Sequence, residues 1–199
     1  DSLHWAFQWH VCLCRLWHKK KQLFLVRDRF GVKPIYYYFK DGTFGFASEI
    51  KALLELPGFS KEIDYGAVGD YFKYRYIPSP KSIWKNVRKL PHGHYAVFHL
   101  KNNTLDIRKY YSLEKRILDS GHSSVEEVEY LLSESVKRRL ISDVEVGTLL
   151  SGGLDSSSVS AIAASYHQNI KSFSIGFEPE EYSELPFAKI TGDFIKTVI

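Results

Sequence analysis

Seven consecutive residues, Ser151-Gly152-Gly153-Leu154-Asp155-Ser156-Ser157, hold the densest chemistry in the chain. Two adjacent glycines allow a sharp turn and let a ligand come close to the backbone. The hydroxyls of Ser151, Ser156 and Ser157 are donors that suit phosphate oxygens. Asp155 cannot face phosphate directly, because two anions repel. A carboxylate in that place suits a hard cation such as Mg2+, which prefers oxygen ligands. The apolar run Val146-Gly147-Thr148-Leu149-Leu150 leads in as a strand, and Ser158-Val159-Ser160-Ala161-Ile162-Ala163-Ala164 leads out as a helix. Strand, glycine turn and helix together build an anion site from backbone N–H groups and the positive end of a helix dipole. The Lys of a Walker loop is missing from the pattern. The plain alternative is a strand-to-helix turn with serine caps.

The elements that must position this loop are legible around it. Ser123 or Ser124 caps a preceding helix, with Glu126 and Glu127 in its first turn and Lys137-Arg138-Arg139 in its last, as the helix dipole prefers. Val125, Val128, Leu131, Leu132, Val136 and Leu140 recur at helical spacing and are expected to form its core face. The basic end reads as a solvated helix terminus rather than a phosphate site. After the loop helix, Ile170-Lys171-Ser172-Phe173-Ser174-Ile175-Gly176-Phe177 reads as a second strand. Such a βαβ unit predicts a parallel pair with the ligand at the C-terminal strand ends, where Ser151 and Ile175 both fall.

The N-terminal half has a different rhythm. Residues 22–26, 35–39 and 43–47 alternate as strands, with Lys40-Asp41-Gly42 as a hairpin turn between the last two. Ser48 is expected to cap a short helix over 49–54. Asp64 is expected to cap a longer one over 64–76, whose apolar face is Tyr65, Val68, Tyr71 and Phe72. Residues 93–99 and 105–111 make a second hairpin through Lys101-Asn102-Asn103.

Composition limits the function classes. With 199 residues, 44% hydrophobic and 25% charged, the chain suits a globular protein of one or two domains. The net charge of +4 is spread out, and the one basic run, Lys19-Lys20-Lys21, reads as a solvated turn, so nucleic acid is not expected as a partner. No apolar run reaches a membrane span, and no signal-peptide pattern is visible, so a cytoplasmic location is expected. Cys12 and Cys14 are too close for an ordinary disulfide and too few for a zinc site.

The loop resembles the pyrophosphate-binding loop of ATP pyrophosphatases, and an ordered set of further segments narrows the resemblance. Arg27-Asp28-Arg29-Phe30-Gly31-Val32-Lys33-Pro34 and Phe46-Ala47-Ser48-Glu49-Ile50-Lys51-Ala52-Leu53 are similar to the later half of a class II glutamine amidotransferase domain. Tyr74-Arg75-Tyr76-Ile77-Pro78, Ile83-Trp84-Lys85-Asn86-Val87 and Lys89-Leu90-Pro91-His92-Gly93-His94 resemble the segment that joins it to a synthetase domain. Ser142-Asp143-Val144 and Phe173-Ser174-Ile175-Gly176-Phe177 bracket the loop in the same order. The whole resembles the glutamine-hydrolysing asparagine synthetase family over about residues 16–198.

That resemblance implies an α+β fold followed by an α/β fold. Residues 1–112 would be the C-terminal part of the amidotransferase domain, a partial antiparallel αββα sandwich of the N-terminal nucleophile type. Residues 113–199 would be the start of a parallel-sheet ATP-pyrophosphatase domain. The implied reaction is ATP-dependent amidation of aspartate through β-aspartyl-AMP, with ammonia from glutamine, and a related amidotransferase acting on another carboxylate or a non-functional partial-gene product are the alternatives. ATP and Mg2+ are the implied cofactors. Aspartate, glutamine and ATP are the small-molecule partners, a homodimer is the implied assembly, and neither nucleic acid nor membrane takes part. By resemblance, Leu150 and Ile175 flank the adenine through their backbone. Ser151, Gly152, Gly153, Asp155, Ser156 and Ser157 hold the phosphates, with Asp155 on Mg2+.

No catalytic residue is assigned. The family's glutaminase nucleophile is an N-terminal Cys that this sequence does not contain, and Cys12 and Cys14 have blocked amines. The residues that grip aspartate would lie beyond Ile199, so the chain is expected to be inactive alone. Arg27 and Asp28 are expected to brace the sheet, and Glu145 replaces a Pro common in the family. Residues 1–15 fit the family poorly. Read one base later through suitable codons, Phe7 to Cys14 becomes Asn-Gly-Met-Phe-Ala-Phe-Ala, close to what the family carries. The expectation is a reading-frame shift up to about Arg15, with real divergence or a Cys-X-Cys metal site as the alternatives; resequencing the gene tests it, and a clean read with no compensating base change would sink it.

Overall fold

The computed structural model describes residues 12–119, 121, 123–167, 169–178, 181 and 183–197. The chain divides into two compact units, Asp1–Ser120 and Gly121–Ile199.

The first unit runs β1 (Cys12–Trp17), β2 (Gln22–Arg27), β3 (Tyr36–Lys40), β4 (Thr43–Ala47), α1 (Ile50–Leu53), α2 (Tyr65–Tyr74), β5 (Val87–Lys89), β6 (His94–His99), β7 (Thr104–Lys109) and α3 (Leu113–Asp119). The strands form two antiparallel sheets, ordered β1-β2-β6-β7 and β4-β3-β5. The β3–β4 hairpin closes as the Asp-Gly turn requires. Asp41 (φ 49°) and Gly42 (φ 78°) are both left-handed, which matches the strand twist. The period of two then sorts the tyrosines of β3. Tyr37 joins Leu25, Ile35, Leu90 and Ala96 in one buried cluster, and Tyr38 joins Leu53 and Val87 in another. The first cluster takes residues from both sheets, and Phe44 of β4 stacks on Phe98 of β6 at 4.4 Å, so the two sheets face each other.

Arg27 and Asp28 hold the turn between β2 and β3. Arg27 donates to the carbonyls of Leu90 (2.7 Å), Gly31 (2.9 Å) and Lys33 (3.1 Å). Buried Asp28 accepts the amides of Phe30 (3.1 Å), Val32 (3.0 Å) and Lys33 (3.1 Å). Both side chains therefore serve backbone groups.

Two local expectations need correction. Ser48 does not cap α1: the N-cap is Glu49, in extended backbone and without a side-chain bond to the helix. Asp64 does cap α2, accepting from the Ala67 amide at 3.1 Å, but Tyr65, Tyr71 and Phe72 stand exposed while Ala67 is the buried residue. The helix turns its small side against the unit, where a close approach suits Ala, and leaves the aromatic side out.

The second unit runs α4 (Val125–Arg139), β8 (Gly147–Leu149), α5 (Leu154–Tyr166), β9 (Lys171–Phe173) and α6 (Leu185–Ile195). Ser124 caps α4 by accepting the Glu127 amide at 3.2 Å. Of the expected α4 face only Val136 is fully buried, in a cluster with Ala163 and Ile170 against which Leu140 packs. Val125, Val128 and Leu131 are exposed, because α4 leans on α5 through its C-terminal half, where Ser133 also meets Tyr166 at 2.9 Å. β8 and β9 are parallel, with Gly147 opposite Lys171 and Leu149 opposite Phe173. The second strand ends at Phe173 rather than Phe177. The Leu150 amide makes the last bond, to the Phe173 carbonyl at 2.9 Å, and the chain before it then turns into the loop, so residues past Phe173 lose their strand partner. Beneath the pair runs a line of hydroxyls. Thr148 Oγ1 meets Ser172 Oγ at 2.9 Å, Ser172 donates to Thr197 Oγ1 at 3.3 Å, and Thr197 donates to the Ile170 carbonyl.

Candidate functional site

The site begins where β8 ends. Leu150 is 2% exposed, and the Ser174 hydroxyl donates to its carbonyl at 2.5 Å, so the strand end is held on both sides. Ser151 then emerges to the surface. Gly152 takes a left-handed φ of +79°. A Cβ there would lie 2.5–2.6 Å from Phe187 Cβ, the Phe187 carbonyl carbon and the Ala188 nitrogen, so both the backbone conformation and the seat of α6 require glycine. Gly153 is the N-cap of α5, extended, with no side chain bonded to the helix amides. Among the described residues no side chain caps the first-turn N–H groups of α5, at the end of the helix where partial positive charge gathers.

The serines do different jobs. Ser156 Oγ accepts the Ser151 amide at 3.2 Å, contacts Ser151 Oγ at 2.9 Å and donates to the Gly153 carbonyl at 3.2 Å. It knits the loop to itself, occupying the Ser151 amide as an anion would. Ser157 instead reaches α6, its Oγ 3.0 Å from Thr191 Oγ1. Asp155 sits exposed in the first turn of α5, where a carboxylate is favoured by the dipole.

An open cleft of about 280 Å³ lies at the strand ends, lined by Leu150, Ser151, Phe173, Ile175, Phe177 and Glu184 among others. It brings together three of the expected residues, Leu150, Ser151 and Ile175, the last 73% exposed. Gly152, Gly153, Asp155, Ser156 and Ser157 are not in its lining; they form the adjoining turn and the start of α5. Phe177 also lines a neighbouring cavity of about 660 Å³ with Gly176, Leu185 and Lys189. Sequence reading did not find Glu184, Phe187 or Thr191. The available signal was the spacing of Phe187 and Thr191, four apart and so on one helical face.

A magnesium ion fits this donor set in one way. Among the described residues no group of three or more His, Cys, Asp or Glu side chains could hold a metal. A lone carboxylate such as Asp155 suits Mg2+ only where phosphate oxygens and water supply its other ligands.

Neither cysteine stands in an environment that activates a thiol. Burial pushes the Cys12 thiol up, the Asp28 charge adds to this, and its Sγ donates to the Lys33 carbonyl at 3.2 Å. Burial also raises Cys14. A raised thiol pKa disfavours the thiolate, the form that attacks.

Residues 12–111 match the family model of a glutamine amidotransferase domain, and residues 127–198 match that of asparagine synthase. Strand β1 falls inside the first match, and of the segment up to Arg15 only residues 12–15 do. The chain is 42% identical over 201 residues to a putative asparagine synthetase (glutamine-hydrolyzing) 2 of Methanocaldococcus jannaschii, covering 97% of this chain and 37% of the relative. It is 33% identical over 182 residues to a putative asparagine synthetase (glutamine-hydrolyzing) of Mycobacterium tuberculosis, covering 88% of this chain and 28% of the relative. With asparagine synthetase (glutamine-hydrolyzing) 1 of Bacillus subtilis the figures are 34% over 179 residues, 88% and 28%. The chain therefore spans roughly a third of the length of these relatives.

Proposed function

Since the chain belongs to the glutamine-hydrolysing asparagine synthetase family, with an amidotransferase domain followed by an asparagine synthase segment, we propose that it is part of an enzyme that amidates aspartate to asparagine with ATP and glutamine. The aspartate carboxylate attacks the α-phosphorus of ATP, pyrophosphate leaves, and ammonia released from glutamine displaces AMP from the β-aspartyl-AMP. Residues 113–199 are the ATP-pyrophosphatase part of this reading and residues 1–112 the amidotransferase part.

One observation carries the proposal. A left-handed Gly152 and an N-cap without a side chain leave the first amides of α5 without a side-chain cap among the described residues, directly beside a cleft lined by Leu150, Ser151 and Ile175. Amides aimed in this way stabilise charge that develops on a leaving pyrophosphate. The Leu150 and Ile175 backbone flanks the adenine, and Ser151, Gly152, Gly153, Ser156 and Ser157 hold the phosphates. Ser156 must release the Ser151 amide for the phosphate to take it. Asp155 holds Mg2+, which when bound neutralises phosphate charge. On the same reading the protein works in the cytoplasm as a homodimer, and the frame of residues 1–15 differs from that of the rest. Asp155→Asn tests the assignment. In phosphorus NMR titrations of the chain, it should weaken ATP binding in the presence of Mg2+ and leave metal-free pyrophosphate binding unchanged or tighter. Equal loss under both conditions would remove Asp155 from the metal role.

A further inference from the structure

Helix α6 touches the loop at two points with one face. Phe187 and Ala188 lie against the Gly152 backbone, where even a methyl group would collide. One turn further on, Thr191 Oγ1 stands 3.0 Å from Ser157 Oγ. Positions three and four apart share a helix face, so a single rigid element fixes both the glycine turn and the Ser157 hydroxyl. The backbone of Ser157 is already anchored, its amide donating to the Gly153 carbonyl at 3.0 Å. The direction of its O–H is left to be set, and Thr191 Oγ1 is the partner within reach; either oxygen can donate.

A hydroxyl has one proton and can accept as well as donate. When Thr191 donates to Ser157, the Ser157 proton is free to point at an anion, and accepting a hydrogen bond makes that O–H a stronger donor. We propose that Thr191 is a positioning residue for the phosphate loop: it orients and strengthens the Ser157 hydroxyl toward the bound pyrophosphate group and ties the seating of α6 to occupancy of the loop. This rests on the reading of residues 151–157 as a pyrophosphate site. It adds a residue that lies 34 positions from Ser157 in sequence and acts through the Ser157 hydroxyl.

Calorimetric titration of the 199-residue chain with inorganic pyrophosphate tests it. Thr191→Val keeps the shape and removes the hydroxyl, and should weaken binding by about 2- to 10-fold, the worth of one hydrogen bond. Thr191→Ser should restore most of the loss. In a Ser157→Ala background, Thr191→Val should have no further effect, because its action passes through Ser157; a merely structural role would add to the loss in both backgrounds. Circular dichroism reports whether each variant keeps its helices. Failure of the unaltered chain to bind pyrophosphate overturns the site and this inference with it. Binding that Thr191→Val leaves unchanged, or a loss that persists undiminished without Ser157, overturns the inference alone.

Discussion

Leu25, Ala96 and Tyr37 meet between the two sheets of the first unit under Leu90 and Ile35, whereas the buried apolar cluster of the second unit consists of Val136, Ala163 and Ile170. The second unit leaves Val125, Leu131, Phe187, Ile190 and Phe194 exposed, the last at 84%. Its order comes from short, directed contacts instead: the hydroxyl line from Thr148 to Thr197, the Ser157–Thr191 bond and the close approach of α6 to Gly152. The difference teaches how each unit fixes position. Apolar packing in the first is strong and weakly directional. Hydrogen bonds between small residues in the second are individually weak, but they are directional.

The contrast is sharpest where a core leucine is removed. Leu90→Ala in the first unit should cost about 2–5 kcal/mol. Leu131→Ala on the exposed side of α4 should change stability by no more than about 0.5 kcal/mol. Hydrogen exchange followed separately in the two units checks both, and equal losses would erase the distinction.

Asp28 is the exception within the first unit, a directed contact in an apolar setting. Burial alone would raise its pKa, but the amides of Lys33, Val32, Phe30 and Gly31 outweigh that and hold it below the ordinary carboxylate value of 3.8. A depressed folded-state pKa means the unfolded chain takes up the proton first. The stabilisation is thus complete above the ordinary value and is lost as pH falls through the lower folded one. Asp28→Asn removes the charge and replaces one of the two acceptor oxygens with an NH2 donor facing an amide, and should cost about 1–3 kcal/mol at neutral pH. It should also flatten the acid limb of the first unit's stability profile in urea titrations; an unchanged limb would assign that limb to other groups.

In the second unit the hydroxyl line predicts a smaller effect. Thr148→Val removes one partner from buried Ser172 and should cost about 1–2 kcal/mol. A thermal melt followed by helix signal reads it, and no change would mean the line is incidental. Ser160, fully buried on α5, has a hydroxyl with no hydrogen-bond partner among the described residues. Ser160→Ala should therefore raise stability by up to about 1 kcal/mol in the same melt; a loss would point to a partner.

What could be read in the sequence was what is decided locally. Asp41-Gly42, the Asp64 and Ser124 caps and the Ser151–Ser157 loop depend on residues within a few positions of one another, and the structure forms each of them. What could not be read depends on partners far along the chain. Periodicity marked Tyr65, Tyr71 and Phe72 as a face without showing that the unit takes Ala67 instead. Composition extended the second strand to Phe177, but pairing with β8 stops it at Phe173. Arg27 finds the Leu90 carbonyl across 63 residues, and Ser157 finds Thr191 across 34. In the candidate site the loop residues were therefore visible, and the contacts by which α6 seats them were not.

The most direct test of the central claim is calorimetric titration of inorganic pyrophosphate into the chain and into its Gly152→Ala variant. The Cβ at 152 would have to enter space held by Phe187 and Ala188 in a left-handed backbone. The account predicts saturable 1:1 binding to the unaltered chain that this one methyl group removes, with the first unit's exchange protection intact. No binding to the unaltered chain, or equal binding to both, would contradict it.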